Sequence, residues 1–357
     1  MASLVAPTLD DAWHAARERC ALLECAAGFI VLTGPDRRAY LHSLVTNKVV
    51  DMEAGQGRRS FALTPTKGRI VADFLACETG SELWLECADG SSGALMELLR
   101  KYYFGQEVEF DERSSEWRLL SLQGPESATA LERVGASVPS EEPGAHAAAT
   151  VKTRAGGNAG GAPKTGTGGA AEIRVVRWSD TGESGFHLWV PAAAIADVRD
   201  ALLASGAEPG SVEAWTVLQI EAGIAVFGRE LGEETIPLEA PTENAMSFDK
   251  GCYPGQEVIA RLHVRGRPAK ELRGLRIEGD PLSAGAKLEA PDKAGVATVT
   301  ASGRSPVLGS IALAYVQRDY LDAGIRLTTA EGRAAEVVDL PMVPLAASRS
   351  PQSATSR

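Results

Sequence analysis

Between residues 139 and 171 the chain stops offering material for a core. This stretch is crowded with Gly, Ala, Pro and Thr, and Val151 is almost its only large apolar side chain. A segment of this kind cannot bury enough surface to offset its ordering entropy. It reads as a flexible surface insertion whose removal should leave the melting temperature nearly unchanged. An interruption of this length, in a chain of 357 residues, also argues against one continuous core and for two or three domains.

The two sides of the interruption differ. Upstream, Leu9, Trp13, Ala16, Cys20 and Leu23 recur at helical spacing, which predicts an amphipathic helix over 9–25. A short apolar strand over 29–32 runs into Thr33-Gly34-Pro35-Asp36, a turn that can cap a helix over 37–44. Strands over 70–77 and 83–87 form a hairpin through Glu78-Thr79-Gly80-Ser81, and 94–103 is helical. Downstream, strands over 173–178 and 185–191 precede helices over 192–204 and 212–222. From Leu272 to Leu340 the pattern becomes short strands between Gly, Pro and Asp turns, which predicts a small barrel or sandwich. The class is α+β.

A formal net charge of -11 makes the chain a poor general binder of nucleic acid. No stretch is apolar for long enough to span a bilayer, and the first twenty or so residues, with Asp10, Asp11 and Glu18, resemble neither a signal nor a transit peptide. A cytoplasmic location is expected. The five cysteines, Cys20, Cys25, Cys77, Cys87 and Cys252, lack disulfide, Cys-x-x-Cys or cluster-binding spacing. The first four lie in apolar patterns and read as small buried hydrophobes.

Cys252 differs. It stands in Lys250-Gly251-Cys252-Tyr253-Pro254-Gly255-Gln256-Glu257, with Val258, Ile259 and Leu262 forming the apolar stripe of a short helix behind it. The glycines permit tight or left-handed backbone. A thiol near a helix start and beside Lys250 is pushed toward thiolate, while Asp249 and Glu257 push the other way. A functional thiol and a buried structural one both fit. Residues 250–276 carry seven basic side chains, Arg261 among them, against two acidic ones. They form either a solvated loop or an anion site for an acidic ligand or partner. His263 is a candidate second metal ligand or a solvent-facing helix-end histidine.

The eight residues 250–257 resemble the signature of the YgfZ family: Lys-Gly-Cys, an aromatic, one free position, then Gly-Gln-Glu. The similarity extends through Leu32-Thr33-Gly34-Pro35-Asp36, Tyr40-Leu41-His42, Thr46-Asn47, Lys67-Gly68-Arg69, Glu221-Ala222-Gly223-Ile224, Phe227-Gly228-Arg229-Glu230-Leu231 and Ile236-Pro237-Leu238-Glu239. The resemblance implies a fold shared with the T-protein of the glycine cleavage system, GcvT, with mixed α/β N-terminal domains and a small C-terminal β-barrel. On it the chain divides into an aminomethyltransferase-like folate-binding region over 1–248 containing the insertion 139–171, the signature over 249–270, the barrel over 271–345 and a disordered tail over 346–357.

The resemblance further implies a folate-binding factor for iron–sulfur cluster assembly or repair, including clusters of tRNA-modifying radical enzymes. Cys252 would be its working residue and a transient cluster ligand, with Lys250, Gly251, Tyr253, Gly255, Gln256 and Glu257 as the signature around it. A cluster usually needs four protein ligands, so one cysteine implies a carrier or client partner. Tetrahydrofolate would bind between the domains, with His187, Arg229 and Arg261 as candidate contacts. The alternative is a tetrahydrofolate-dependent aminomethyltransferase. Against it, no acid follows the first hairpin where the T-protein carries one, although Asp89 is near, and His187 stands where the T-protein's pterin-holding Glu is expected. A non-enzymatic factor is therefore expected, with no membrane or direct nucleic-acid partner.

Overall fold

The computed structural model describes residues 6–153 and 169–345. The tail 346–357 and residues 154–168 of the expected insertion lie outside the described residues.

Three β systems organise the chain. A five-stranded antiparallel sheet runs in the order Gly57–Leu63, Ile70–Glu78, Leu83–Ala88, Ala27–Thr33, Glu109–Glu112. A six-stranded sheet runs Glu208–Pro209, Ala21–Cys25, Trp117–Gln123, Gly185–Pro191, Gly169–Arg177, His146–Thr153. The third system is a closed barrel of six strands between Lys270 and Val338. The α+β reading with a C-terminal barrel holds, and the barrel-or-sandwich alternative resolves to a barrel.

The helix expected over 9–25 is shorter. Leu9–Glu18 is helical, capped by the Thr8 side chain, and Ala21–Cys25 is a strand paired with Trp117–Gln123. A helical stripe at 9, 13 and 16 does not bind the residues after Cys20, where Ala21 and Leu22 are both buried in strand pairing. Only Ala26 separates this strand from Ala27–Thr33, so the chain passes from one sheet to the other there. The two sheets meet over Phe29, Trp84 and Trp189, with Trp84 and Trp189 stacked at 5.8 Å and Phe29 edge-on to Trp189 at 5.7 Å.

The insertion is corrected more sharply. His146–Thr153 pairs antiparallel with Gly169–Arg177. Ala149, Val151 and Thr153 point inward and Ala148, Thr150 and Lys152 outward, the alternation of a half-buried strand. Small residues suffice because Val198 and Leu202 of the helix Ile195–Ala204 supply bulk to the same core. Total hydrophobicity misjudged a strand whose signal lay in its alternation.

The helix Val212–Ala222 lies between the barrel and the N-terminal region. Gly303 of the barrel must lack a side chain, because a Cβ there would stand 2.7 Å from Val217. Arg17 of the first helix, fully enclosed, pairs with Glu183 and with Glu221, the latter at 2.5 Å, and Trp13 Nε1 donates to the same Glu221 at 3.1 Å. Removing one partner of such a group strands a buried charge, so Arg17→Met should cost about 3 kcal/mol in chemical denaturation. Deleting residues 141–170 would remove the strand His146–Thr153. The melting temperature is expected to fall by about 10 °C or more, which calorimetry would register.

Candidate active site

A cavity of about 510 Å³ opens where the two sheets, the segment 222–227 and the chain after the barrel converge. Four acids line it: Asp73, Glu86, Asp89 and Asp180. Asp73 and Glu86 come from otherwise apolar strands, Ile70–Glu78 and Leu83–Ala88. Each is buried with a cationic partner, as a charge in that position must be. Arg59 grips Asp73 with two hydrogen bonds of 2.8 and 2.5 Å.

His187 sits between the buried Glu86 and the partly buried Asp180. Its Nδ1 meets Glu86 Oε1 at 2.6 Å and its Nε2 meets Asp180 Oδ2 at 2.8 Å. Both ring nitrogens facing carboxylates means both carry protons. Burial works against the imidazolium, but Asp180 and Glu86 push its pKa up to about 10. Burial likewise opposes the charge on Asp180, yet the imidazolium, the hydrogen bonds from His187 and Ser121 and the nearby Arg59 hold that carboxyl below its usual range. Glu86 Oε2 accepts from Trp189 Nε1.

Of the expected folate contacts, His187 lines the cavity. Arg229 stands one layer behind. It bonds Glu230 at 2.9 Å and Gln219 at 3.1 Å, and its Nη2 is buried without a hydrogen-bond partner among the described residues. Arg261 is exposed on the helix Gln256–Arg265 and does not line the cavity. Cys25 and Cys87 line it as thiols whose pKa burial pushes up.

The signature stands elsewhere. Cys252 is exposed and outside the cavity lining, and His263 stacks on Phe248 at 3.8 Å. Among the described residues no three His, Cys, Asp or Glu are grouped as a metal site requires. Lys250 is buried, with burial pulling its pKa down to about 8. Its Nζ donates to the carbonyls of His42 at 2.5 Å, Asn47 at 3.1 Å and Val45. Thr46 and Asn47 bond back to Ala245 at 2.6 Å and Asn244 at 3.0 Å. This stitch fixes the segment that brings Asn244 into the cavity wall. Tyr253 is buried under the Lys250 ammonium. Gly255 has φ +85 and packs where a Cβ would lie 2.8 Å from the Thr64 carbonyl. Gly251 faces open space and has no such demand. Gln256 opens the helix, and Glu257 is exposed in its first turn.

Sequence reading missed Asp180, Glu86 and the Arg59–Asp73 pair. The available signal was an acid inside an apolar strand, at 73 and at 86.

A family model for the GCVT N-terminal domain matches residues 3–250. The chain belongs to that family. It is 30% identical over 312 residues to the aminomethyltransferase of Rubrobacter xylanophilus, covering 85% of this chain and 77% of the relative. It is 30% identical over 331 residues to the mitochondrial aminomethyltransferase of Gallus gallus, covering 87% and 78%. The crystal structure of the glycine cleavage system aminomethyltransferase T from Bartonella henselae superposes with a TM-score of 0.79 over 94% of this chain and 89% of its own, at 23% identity, and so shares the fold.

These relatives overturn two expectations. The chain is not assigned to iron–sulfur cluster support through Cys252, because family members matched over most of their length are aminomethyltransferases. For the same reason the reading of a non-enzymatic factor fails. Asp89, noted near the end of the first hairpin, lines the cavity, as does Glu86 from the hairpin strand itself. No helix among the described residues is long and apolar enough to cross a membrane.

The His187 pairing carries a pH signature. Its pKa in the fold lies above the ordinary value of 6.5, so the stability gained from its proton is complete below about 6.5 and lost as pH rises toward about 10. Denaturant titrations of wild type and His187→Gln should therefore differ most at pH 6 and converge as the pH approaches 10.

Proposed function

We propose that this chain is a tetrahydrofolate-dependent aminomethyltransferase that works in the cavity between its two sheets. The observation that carries this reading is the combination of that cavity and its acids with a family among whose curated relatives are several aminomethyltransferases. A volume of about 510 Å³ suits a folate-sized ligand. The lining fits as well. Trp178 offers a flat face, Asp180 a carboxylate, Gln219 and Asn244 amides, and Trp215 a buried indole N–H with no partner among the described residues. A bound reduced folate would supply the nitrogen that accepts the one-carbon unit.

In such a transfer the folate nitrogen bonds to the methylene carbon as that carbon's bond to its donor atom breaks, the departing group leaves with the electron pair and takes up a proton, and the folate nitrogen gives up its own proton. We assign that proton to the Asp89 carboxylate. It lines the cavity, is exposed, and has no hydrogen-bond partner among the described residues. The other three acids are engaged with cations. Within the family, the segment 250–257 supports placing the chain on the YgfZ-type branch, with Lys250 and Gly255 serving the architecture of the cavity wall.

Tetrahydrofolate should bind in the micromolar range, about -8 kcal/mol by calorimetry at pH 7.5. Asp89→Asn should lower turnover roughly 100-fold with the melting temperature unchanged. Cys252→Ser should keep its activity. Full turnover in Asp89→Asn, or its loss in Cys252→Ser, would refute the assignment.

A further inference from the structure

Each of the four acids of the cavity is held differently, and the difference selects one. Asp73 spends both oxygens on Arg59. Glu86 spends one on His187 and the other on Trp189. Asp89 is exposed and has no partner among the described residues. Asp180 is both anchored and open. Its Oδ2 takes the Ser121 hydroxyl at 2.6 Å and His187 Nε2 at 2.8 Å, and its backbone N–H donates to Gln123 Oε1 at 3.1 Å. Gln123 in turn donates to Ser121 Oγ at 3.0 Å. No hydrogen bond reaches Oδ1 among the described residues, and the side chain stays 21% exposed in the cavity wall.

An ionised carboxylate accepts and does not donate. A fixed acceptor inside a cavity recognises N–H donors, and the half-buried Trp178 ring two residues away suits a flat heteroaromatic partner. We infer that Asp180 Oδ1 is the acceptor for the exocyclic amino group of a 2-amino-4-oxopteridine ring, and that His187 is a positioning residue that aims it. This rests on the folate reading and names the residue that would discriminate the ring. The imidazolium at 187 repels an N–H donor, so it cannot receive the ring itself. It fixes the carboxylate that can.

Asp180→Asn makes a sharp probe. Two donors converge on the Oδ2 position, so the single amide oxygen is drawn there and the NH2 is turned to the cavity, donor against donor. The experiment titrates the full chain with tetrahydrofolate, with its 2-desamino-2-methyl analogue and with p-aminobenzoylglutamate, which lacks the pteridine. A hydrogen bond to a charged group predicts that Asp180→Asn weakens tetrahydrofolate roughly 10- to 100-fold while p-aminobenzoylglutamate is unaffected. The analogue should lose a similar factor on wild type and little more on the variant. His187→Gln should lower affinity for tetrahydrofolate but not for p-aminobenzoylglutamate. If Asp180→Asn binds tetrahydrofolate as wild type does, or wild type fails to distinguish tetrahydrofolate from its desamino analogue, the assignment of Asp180 is overturned. The second comparison needs no variant and decides the matter even if Asp180→Asn does not fold. Failure of wild type to bind tetrahydrofolate at all is a separate result that removes the folate reading and this inference with it.

Discussion

The chain Glu86–His187–Asp180, buried at its first two members, is the contact on which the site depends. Glu86 belongs to the five-stranded sheet and His187 to the six-stranded one, so their 2.6 Å contact ties the two sheets together at the cavity. Two carboxylates facing each other in a closed space would repel. A protonated imidazole between them turns repulsion into two attractive contacts, and this is why the ring holds its proton well above its ordinary pKa. Removing one member leaves the others buried without compensation, a far larger loss than the modest net stabilisation of a complete pair.

Two further clamps keep the cavity walls in place. Arg17 joins the first helix to Glu183 and to Glu221 of the helix Val212–Ala222, on which the barrel rests. Met342 N–H donates to the Glu221 carbonyl at 2.7 Å, and the same stretch brings Leu340, Pro341 and Leu345 to the cavity. Lys250 ties the signature segment to the carbonyls of His42, Val45 and Asn47. The eight-residue signature thus has a physical role apart from its thiol. The ammonium and Gly255 shape the wall, while Cys252 faces solvent.

Cys252 stands among glycines and charges in one continuous motif, exposed and apart from the cavity. The acids of the cavity are scattered over positions 73 to 180 and carry no local motif. Their meaning depends on meeting in space, in a fold whose curated relatives transfer aminomethyl groups.

Local patterning sufficed wherever one face of an element meets one environment. The hairpin over Ile70–Glu78 and Leu83–Ala88, the helix Val212–Ala222 and the barrel strands follow from periodicity and turn residues, because burial of a stripe or an alternate face is written into adjacent residues. Pattern reading failed at His146–Thr153, where alanines and threonines become a strand only because a helix elsewhere supplies the missing bulk, and at Ala21–Cys25, where sheet pairing overrode a helical stripe. The charge state of His187 and the open oxygen of Asp180 were beyond sequence altogether. Both depend on distances between residues up to about a hundred positions apart, and only the packing of two sheets sets those distances.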